Sequence, residues 1–407
     1  MKYKKLGIFL LAAAVICSMT GCELPFFQNA KNTSVLPVKA EKETMKVEKP
    51  INQNLGFIPN RSEPLQVNIR NYLRLFNNIS GSISVVQNRQ ILFREGFGLA
   101  NIESHIENNP NTSFPVGSIS KIFTATSIMI LQEQHKLSIQ DPVSKYIPNF
   151  PNAKRIKLYN LMSHTSGIQG LNWHTGDTTP LKLVKEIAKY PVKFQPGTKW
   201  DYRDTNYILL GYIVEKVSGE PLHSFIQKNI FDKVQMTKTG FMTHQHPAPY
   251  SVTGYVIKNN QFKKSQIFNA YALYACGDIY STPYDLSLFD QALMNGELVS
   301  LSSLKQMLTP GSKSKYGLGL YYNGIRAWSN GVLPGYYTTH SYFNDKTSIV
   351  LFLNKKDPMT QLDQMVLRIH EIVNLYQEQP TQTLEKTTHQ PMSGFSYFLS
   401  RLKYQSG

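Results

Sequence analysis

The chain has 407 residues, a formal net charge of +16 and 41% hydrophobic residues. That length holds one large domain or two smaller ones, with enough apolar content for a buried core. Its three cysteines, two of them in the first 22 residues, exclude a disulfide-built fold, so the core must carry the stability.

Residues 1–21 read as an export signal. Lys2, Lys4 and Lys5 form a positive n-region, residues 6–17 an apolar stretch, and Ser18-Met19-Thr20-Gly21 a small-residue approach to Cys22. The Thr-Gly-Cys junction resembles a bacterial lipobox, with Met19 where Leu is usual. It predicts lipidation of Cys22 and a protein tethered outside the cytoplasmic membrane, since no later run is long and apolar enough to span a bilayer. Loss of the three signal lysines leaves +13, a balance suited to lipid head groups or teichoic acids. Nucleic acid is the rival partner for a basic chain, but no nucleic-acid motif is present and export argues against it.

Residues 22–63 are polar and aperiodic, as expected of a tether. A folded domain is expected over 64–378. It opens with an amphipathic helix through Leu65, Ile69, Leu73 and Phe76, then a hairpin of strands 81–86 and 90–97. The middle, about 142–241, is rich in helix and loop signals. Strand signals return at 251–258, 317–322, 336–343 and 348–353, and a helix through Val366, Ile369 and Val373 closes the domain. Strands at both ends with helices between predict an α+β fold: one antiparallel sheet built from both chain ends, with an inserted helical region. The 379–407 tail is polar and basic; 395–403 suits either a membrane-contacting amphipathic helix or a frayed terminus, and the frayed terminus is preferred.

The chemistry concentrates at Ser118-Ile119-Ser120-Lys121. A lysine three residues after a serine shares its helix face and can reach its hydroxyl. Ser-x-x-Lys also occurs at Ser302, Ser312 and Ser400. Only the first is preceded by Pro115 and Gly117 and followed by a long apolar helical pattern. A second candidate is Tyr202-Arg203-Asp204. In extended backbone Tyr202 and Asp204 point one way and Arg203 the other. A tyrosine beside a lysine can shuttle a proton, although this spacing alone equally fits a surface loop.

Several ordered blocks together resemble the serine β-lactamase and penicillin-binding-protein superfamily, in its class C-like branch of DD-peptidases, class C β-lactamases and D-alanyl esterases. Residues 114–125 are similar to its nucleophile motif, 141–148 to the segment that follows, Leu161-Met162-Ser163-His164-Thr165-Ser166-Gly167 to its His-Thr-Ser-Gly stretch, 202–211 to its Tyr-x-Asn motif, and 275–286 to a further block. The resemblance implies a β-lactamase/DD-peptidase-like fold, Ser118 as nucleophile, a neutral Lys121 as base, Tyr202 as proton shuttle, and an oxyanion hole from the backbone amides of Ser118 and Val332. His164 then reads as structural rather than as a Ser–His partner, and no Gly-x-Ser-x-Gly elbow is present. The third motif falls at Ser329-Asn330-Gly331, not at Lys238-Thr239-Gly240. Two departures stand out: Ser329 where a cation or imidazole is usual, and Asp204 where Asn is usual. Asp204, Ser329, Asn330 and Gly331 are expected to line the substrate cleft, with neither metal nor cofactor. The implied activity is acyl-enzyme hydrolysis of envelope D-alanyl bonds, by a DD-peptidase or a teichoic-acid D-alanyl esterase. A β-lactamase, which the altered third motif disfavours, or a non-catalytic penicillin-binding envelope protein are the alternatives.

Overall fold

A computed structural model describes residues 56–377, except 172–178, 244–245, 247–248 and 267–269. The signal, Cys22, most of the tether and the 379–407 tail lie outside the described residues.

Helix α1 (Leu65–Leu73) leads into the hairpin β1 (Ser80–Gln87) and β2 (Gln90–Phe97). Asn88 and Arg89 both take positive φ, 47° and 66°, as a two-residue hairpin turn requires. Helix α2 (Ser120–Glu133) follows, then α3 (Asp204–Ser218) and α4 (Pro283–Met294) in the helical middle. The C-terminal part supplies β3 (Tyr321–Tyr322), β4 (Arg326–Leu333), β5 (Tyr336–Phe343), β6 (Thr347–Lys355) and α5 (Leu362–Gln377). The main sheet is antiparallel throughout, in the order β3-β4-β5-β6-β1-β2. β1 and β6 pair from Ser80↔Lys355 to Gln87↔Thr347, joining the two chain ends as the strand pattern predicts.

The sheet is covered on both faces. Ile83, Val85, Leu351 and Leu353 meet Ile69 and Tyr72 of α1 and Ile369 and Val373 of α5 in one cluster. Val350 and Phe352 face the other way, into the core shared with α2, α3 and α4. Every residue of β6 is therefore buried, which explains its unbroken apolar run Ile349–Leu353 instead of an alternating pattern.

Two expected strands are shorter than their sequence signals. Of 251–258 only Tyr255–Lys258 is strand, and it pairs with Gln261–Lys264 in a separate hairpin. The Asn259-Asn260 turn, at φ 52° and 57°, makes that pairing local and keeps it out of the main sheet. Of 317–322 only Tyr321–Tyr322 is strand. The preceding residues turn instead, with Gly317 N–H bonded to Leu320 O and Leu318 N–H to Met307 O.

Candidate active site

Ser118 lies in a single 3-10 turn, Gly117–Ile119, that runs directly into α2. Its Oγ accepts a hydrogen bond from Lys121 Nζ at 3.0 Å. Lys121 is only 1% exposed. An ammonium has three N–H groups, and three oxygens surround this one: Ser118 Oγ, Cys276 O at 2.9 Å and Asp204 Oδ1 at 2.6 Å. Burial alone would lower the Lys121 pKa. Asp204 first, then Tyr202 and Cys276, outweigh that, and the net shift is upward. The neutral lysine that the resemblance implies belongs to the moment of acylation, and at rest the upward shift favours the ammonium. The acidic residue at the Asn position holds Lys121 as an ammonium.

Asp204 is the first residue of α3, and Arg203 before it is extended at φ −143°. The alternation read from the sequence holds. Tyr202 and Asp204 both converge on Lys121, while Arg203 Nε turns away to Asp201 Oδ2 at 3.0 Å. Tyr202 faces Ser118 and Lys121, and its ring lies 5.0 Å from Lys121 Nζ. Burial raises its pKa, against the pull of the Lys121 charge, so the resting group is a phenol. The Cys276 thiol is likewise pushed well up by burial, which keeps it from competing as a thiolate.

His164 grips the second motif from below. Its carbonyl accepts from Asp201 N, and its Nδ1 accepts from Arg203 N at 3.2 Å and from Asn206 Nδ2 at 3.0 Å. Its ring packs on Tyr202 with centroids 4.2 Å apart. Burial, then the Lys121 charge, hold its pKa well below the usual histidine range, so it is a neutral ring accepting at Nδ1.

β4 brings Gly331 and Val332 beside the Ser118 turn. A side chain on Gly331 would meet Val116 O at 1.8 Å, so only glycine lets the two backbones approach this closely. Thr338 Oγ1 fixes the same Val116 carbonyl at 2.9 Å. A Cβ on Gly117 would lie 3.2 Å from Val332 N, which sets that amide beside the Ser118 turn. Strand alternation separates the other candidates. Ser329 and Gly331 are buried on the inner face, whereas the side chains of Asn330 and Val332 are exposed on the outer one. Ser329 Oγ is buried with no hydrogen-bond partner, and the Asn330 side chain is exposed. Lys238-Thr239-Gly240 is tied elsewhere: Lys238 N and Thr239 Oγ1 both bond Asp285 in the first turn of α4.

The other Ser-x-x-Lys pairs differ in setting. Ser302 and Lys305 are exposed, and Ser312 bonds Ser314 with Lys315 exposed; Ser400 is outside the described residues. The residue missed from sequence is Cys276, whose contribution is a backbone carbonyl and so leaves no side-chain signature.

A family model described as Beta-lactamase matches residues 69–373. The chain belongs to the beta-lactamase family. Among curated relatives of this beta-lactamase-family chain, "Putative penicillin-binding protein PbpX" of Bacillus subtilis (strain 168) is 40% identical over 306 residues, 75% of this chain and 78% of the relative. A "Teichoic acid D-alanine hydrolase" of Staphylococcus aureus is 29% identical over 374 residues, 88% of this chain and 93% of the relative. Among solved structures, FmtA from Staphylococcus aureus superposes with TM-score 0.69 at 29% identity, covering 78% of this chain and 92% of that one. The octameric penicillin-binding protein homologue from Pyrococcus abyssi, at TM-score 0.66 and 24% identity over 76% of this chain and 77% of that one, shares the fold. As a member of this family the protein is a serine hydrolase of the penicillin-binding/β-lactamase type.

Proposed function

We propose that the protein is a lipid-tethered extracytoplasmic esterase that removes D-alanyl groups from envelope polymers, teichoic acids foremost, through an acyl-enzyme on Ser118. The observation that carries this reading is the charge arrangement of the site. A carboxylate, Asp204, sits in the second motif against Lys121, and the third motif offers Ser329 in place of a cation. β-Lactams and peptidyl-D-Ala-D-Ala present a carboxylate beside the scissile bond, and no third-motif charge is there to receive it. A D-alanyl ester carries an ammonium and no carboxylate. The Staphylococcus aureus relative named a teichoic acid D-alanine hydrolase supports the same substrate class.

Ser118 Oγ bonds to the ester carbonyl carbon. Its proton passes to Lys121 as one Lys121 proton shifts to Asp204, 2.6 Å away. The Ser118 and Val332 amides receive the developing oxyanion, each such donor being worth about 10²–10³ in rate. As the tetrahedral intermediate collapses, the bond to the leaving oxygen breaks and the Tyr202 phenol protonates that oxygen. The proton on Asp204 returns through Lys121 to Tyr202. Water then attacks the acyl carbon and feeds its proton into the same chain, and Ser118 is reprotonated as D-alanine leaves.

Purified protein incubated with D-alanylated teichoic acid should release D-alanine. Intact-mass measurement should show Ser118 acylated faster by a D-alanyl ester than by fluorescent penicillin or a D-Ala-D-Ala peptide. Faster turnover of the D-Ala-D-Ala peptide would replace this reading with a DD-peptidase. Anchoring is tested at Cys22: Cys22→Ser should release protein to the medium or leave uncleaved precursor, because stable tethering takes two lipid chains. Unchanged membrane partitioning together with unchanged precursor size would refute the lipid anchor.

A further inference from the structure

Thr124 follows Lys121 by one turn on the same face of α2. Its hydroxyl donates to the carbonyl of Ala275 at 2.8 Å, and the next carbonyl in the chain, that of Cys276, accepts from Lys121 Nζ at 2.9 Å. Two successive carbonyls therefore aim at one helix face. Successive peptide carbonyls in extended backbone point in opposite directions. Here the reversal comes at Ala275, which sits at φ +63°, a left-handed conformation that strains any residue with a Cβ. Such strain persists only where the surroundings enforce it.

Three neighbours enforce it. Thr124 holds the Ala275 carbonyl from α2. Leu273 O accepts from both Cys276 N and Gly277 N, at 3.0 and 2.8 Å, and closes the turn. From α3, Gly211 leaves room for the Ala275 methyl; a Cβ on Gly211 would stand 2.4 Å from it. Gly211 is seven residues after Asp204, two turns along the same helix face. Thr124 and Ala275 are 1% and 2% exposed, so bulk water does not replace these contacts.

We propose that Thr124 is a positioning residue for Lys121, acting through the strained Ala275 and the Gly211 that abuts it to hold the Cys276 carbonyl on the ammonium. The inference rests on the reading above that Lys121 works in the reaction. With one N–H fixed by Cys276 O, the other two stay directed at Ser118 and Asp204 through each turnover. The remaining polar and aromatic groups facing the ammonium are the Tyr202 ring and hydroxyl, the Tyr207 ring at 5.9 Å, the Cys276 thiol and the neutral His164 imidazole.

The test compares full-length Thr124→Val, Thr124→Ser and Gly211→Ala with wild type. It measures kcat, KM, thermal midpoint and the pH profile of kcat/KM on a p-nitrophenyl ester. Thr124→Val should lower kcat about tenfold, the scale of one neutral hydrogen bond, with KM within about twofold. The alkaline limb should move to lower pH, because an ammonium that has lost an acceptor gives up its proton more easily. Thr124→Ser should restore both, and Gly211→Ala should reproduce the Thr124→Val profile. If Thr124→Val does not fold, Thr124→Ala removes the same hydroxyl without adding a methyl near the carbonyl. Activity loss matched only by loss of folded protein, an unmoved pH limb, or a Thr124→Ser as impaired as Thr124→Val would overturn the proposal. Lys121→Met separates the two readings. If Lys121→Met is inactive while Thr124→Val is unaffected, the positioning role alone falls; an active Lys121→Met removes the role of Lys121 itself.

Discussion

Ser118→Ala is expected to abolish acyl-enzyme formation and to lower kcat by about 10⁴-fold or more, the scale seen when a serine hydrolase loses its nucleophile. The remaining rate would come from the oxyanion amides and substrate binding alone. The fold should survive. Ser118 Oγ accepts from Lys121, and Lys121 keeps two other oxygen acceptors, Cys276 O and Asp204. A stability change within about 1 kcal/mol follows. Covalent labelling by fluorescent penicillin, read by gel and intact mass, checks the assignment. Ser302→Ala and Ser312→Ala should label as wild type, since those serines face exposed lysines. Label retained by Ser118→Ala would move the nucleophile elsewhere.

What the sequence disclosed and what it concealed divide along physical lines. Ser118 and Lys121 are three residues apart, so their meeting is a property of local helical geometry and can be read from spacing. The same holds for the Tyr202/Asp204 alternation and for the β1–β2 turn. The joining of β1 to β6 was legible because two strand-rich ends flank a helical middle. The partners of Lys121 were not legible. Asp204 lies 83 positions from it and Cys276 155, and only the packing of α3 and the 275–277 turn against α2 brings them together. Asp204 was read as a group waiting for substrate; the structure engages it first with Lys121. His164 was read as structural, and spacing gave no sign that it holds Asp201, Arg203 and Asn206 at once. The third motif names Ser329, Asn330 and Gly331 in a row, whereas the strand turns the Asn330 side chain to the opposite face from Ser329.

Asp204→Asn should separate the two duties of that carboxylate. The first is toward Lys121. Without Asp204 the upward pull on the Lys121 pKa is lost, and so is its contribution to raising Tyr202. Both groups then release protons more readily, and the alkaline limb of kcat/KM moves to lower pH for every substrate. An amide cannot accept the proton that Lys121 must pass on. The plateau rate should therefore fall on the order of 10²-fold, the scale of a buried hydrogen bond to a charged group. The second duty is toward substrate. Asp204 is 21% exposed, and the ammonium of a D-alanyl ester can approach it from the open side. Solvent weakens that part-exposed pairing to about 1 kcal/mol, or roughly fivefold in kcat/KM. A D-alanyl ester should thus lose about fivefold more than p-nitrophenyl acetate, which has no charge to pair. The complementary change, Ser329→Lys, restores a cation to β4 and should speed acylation by penicillin. Equal losses on both esters in Asp204→Asn, with the shifted pH limb intact, would leave Asp204 as a partner of Lys121 only and assign substrate selection to another part of the cleft. An unshifted limb would show that Lys121 does not depend on Asp204 for its charge.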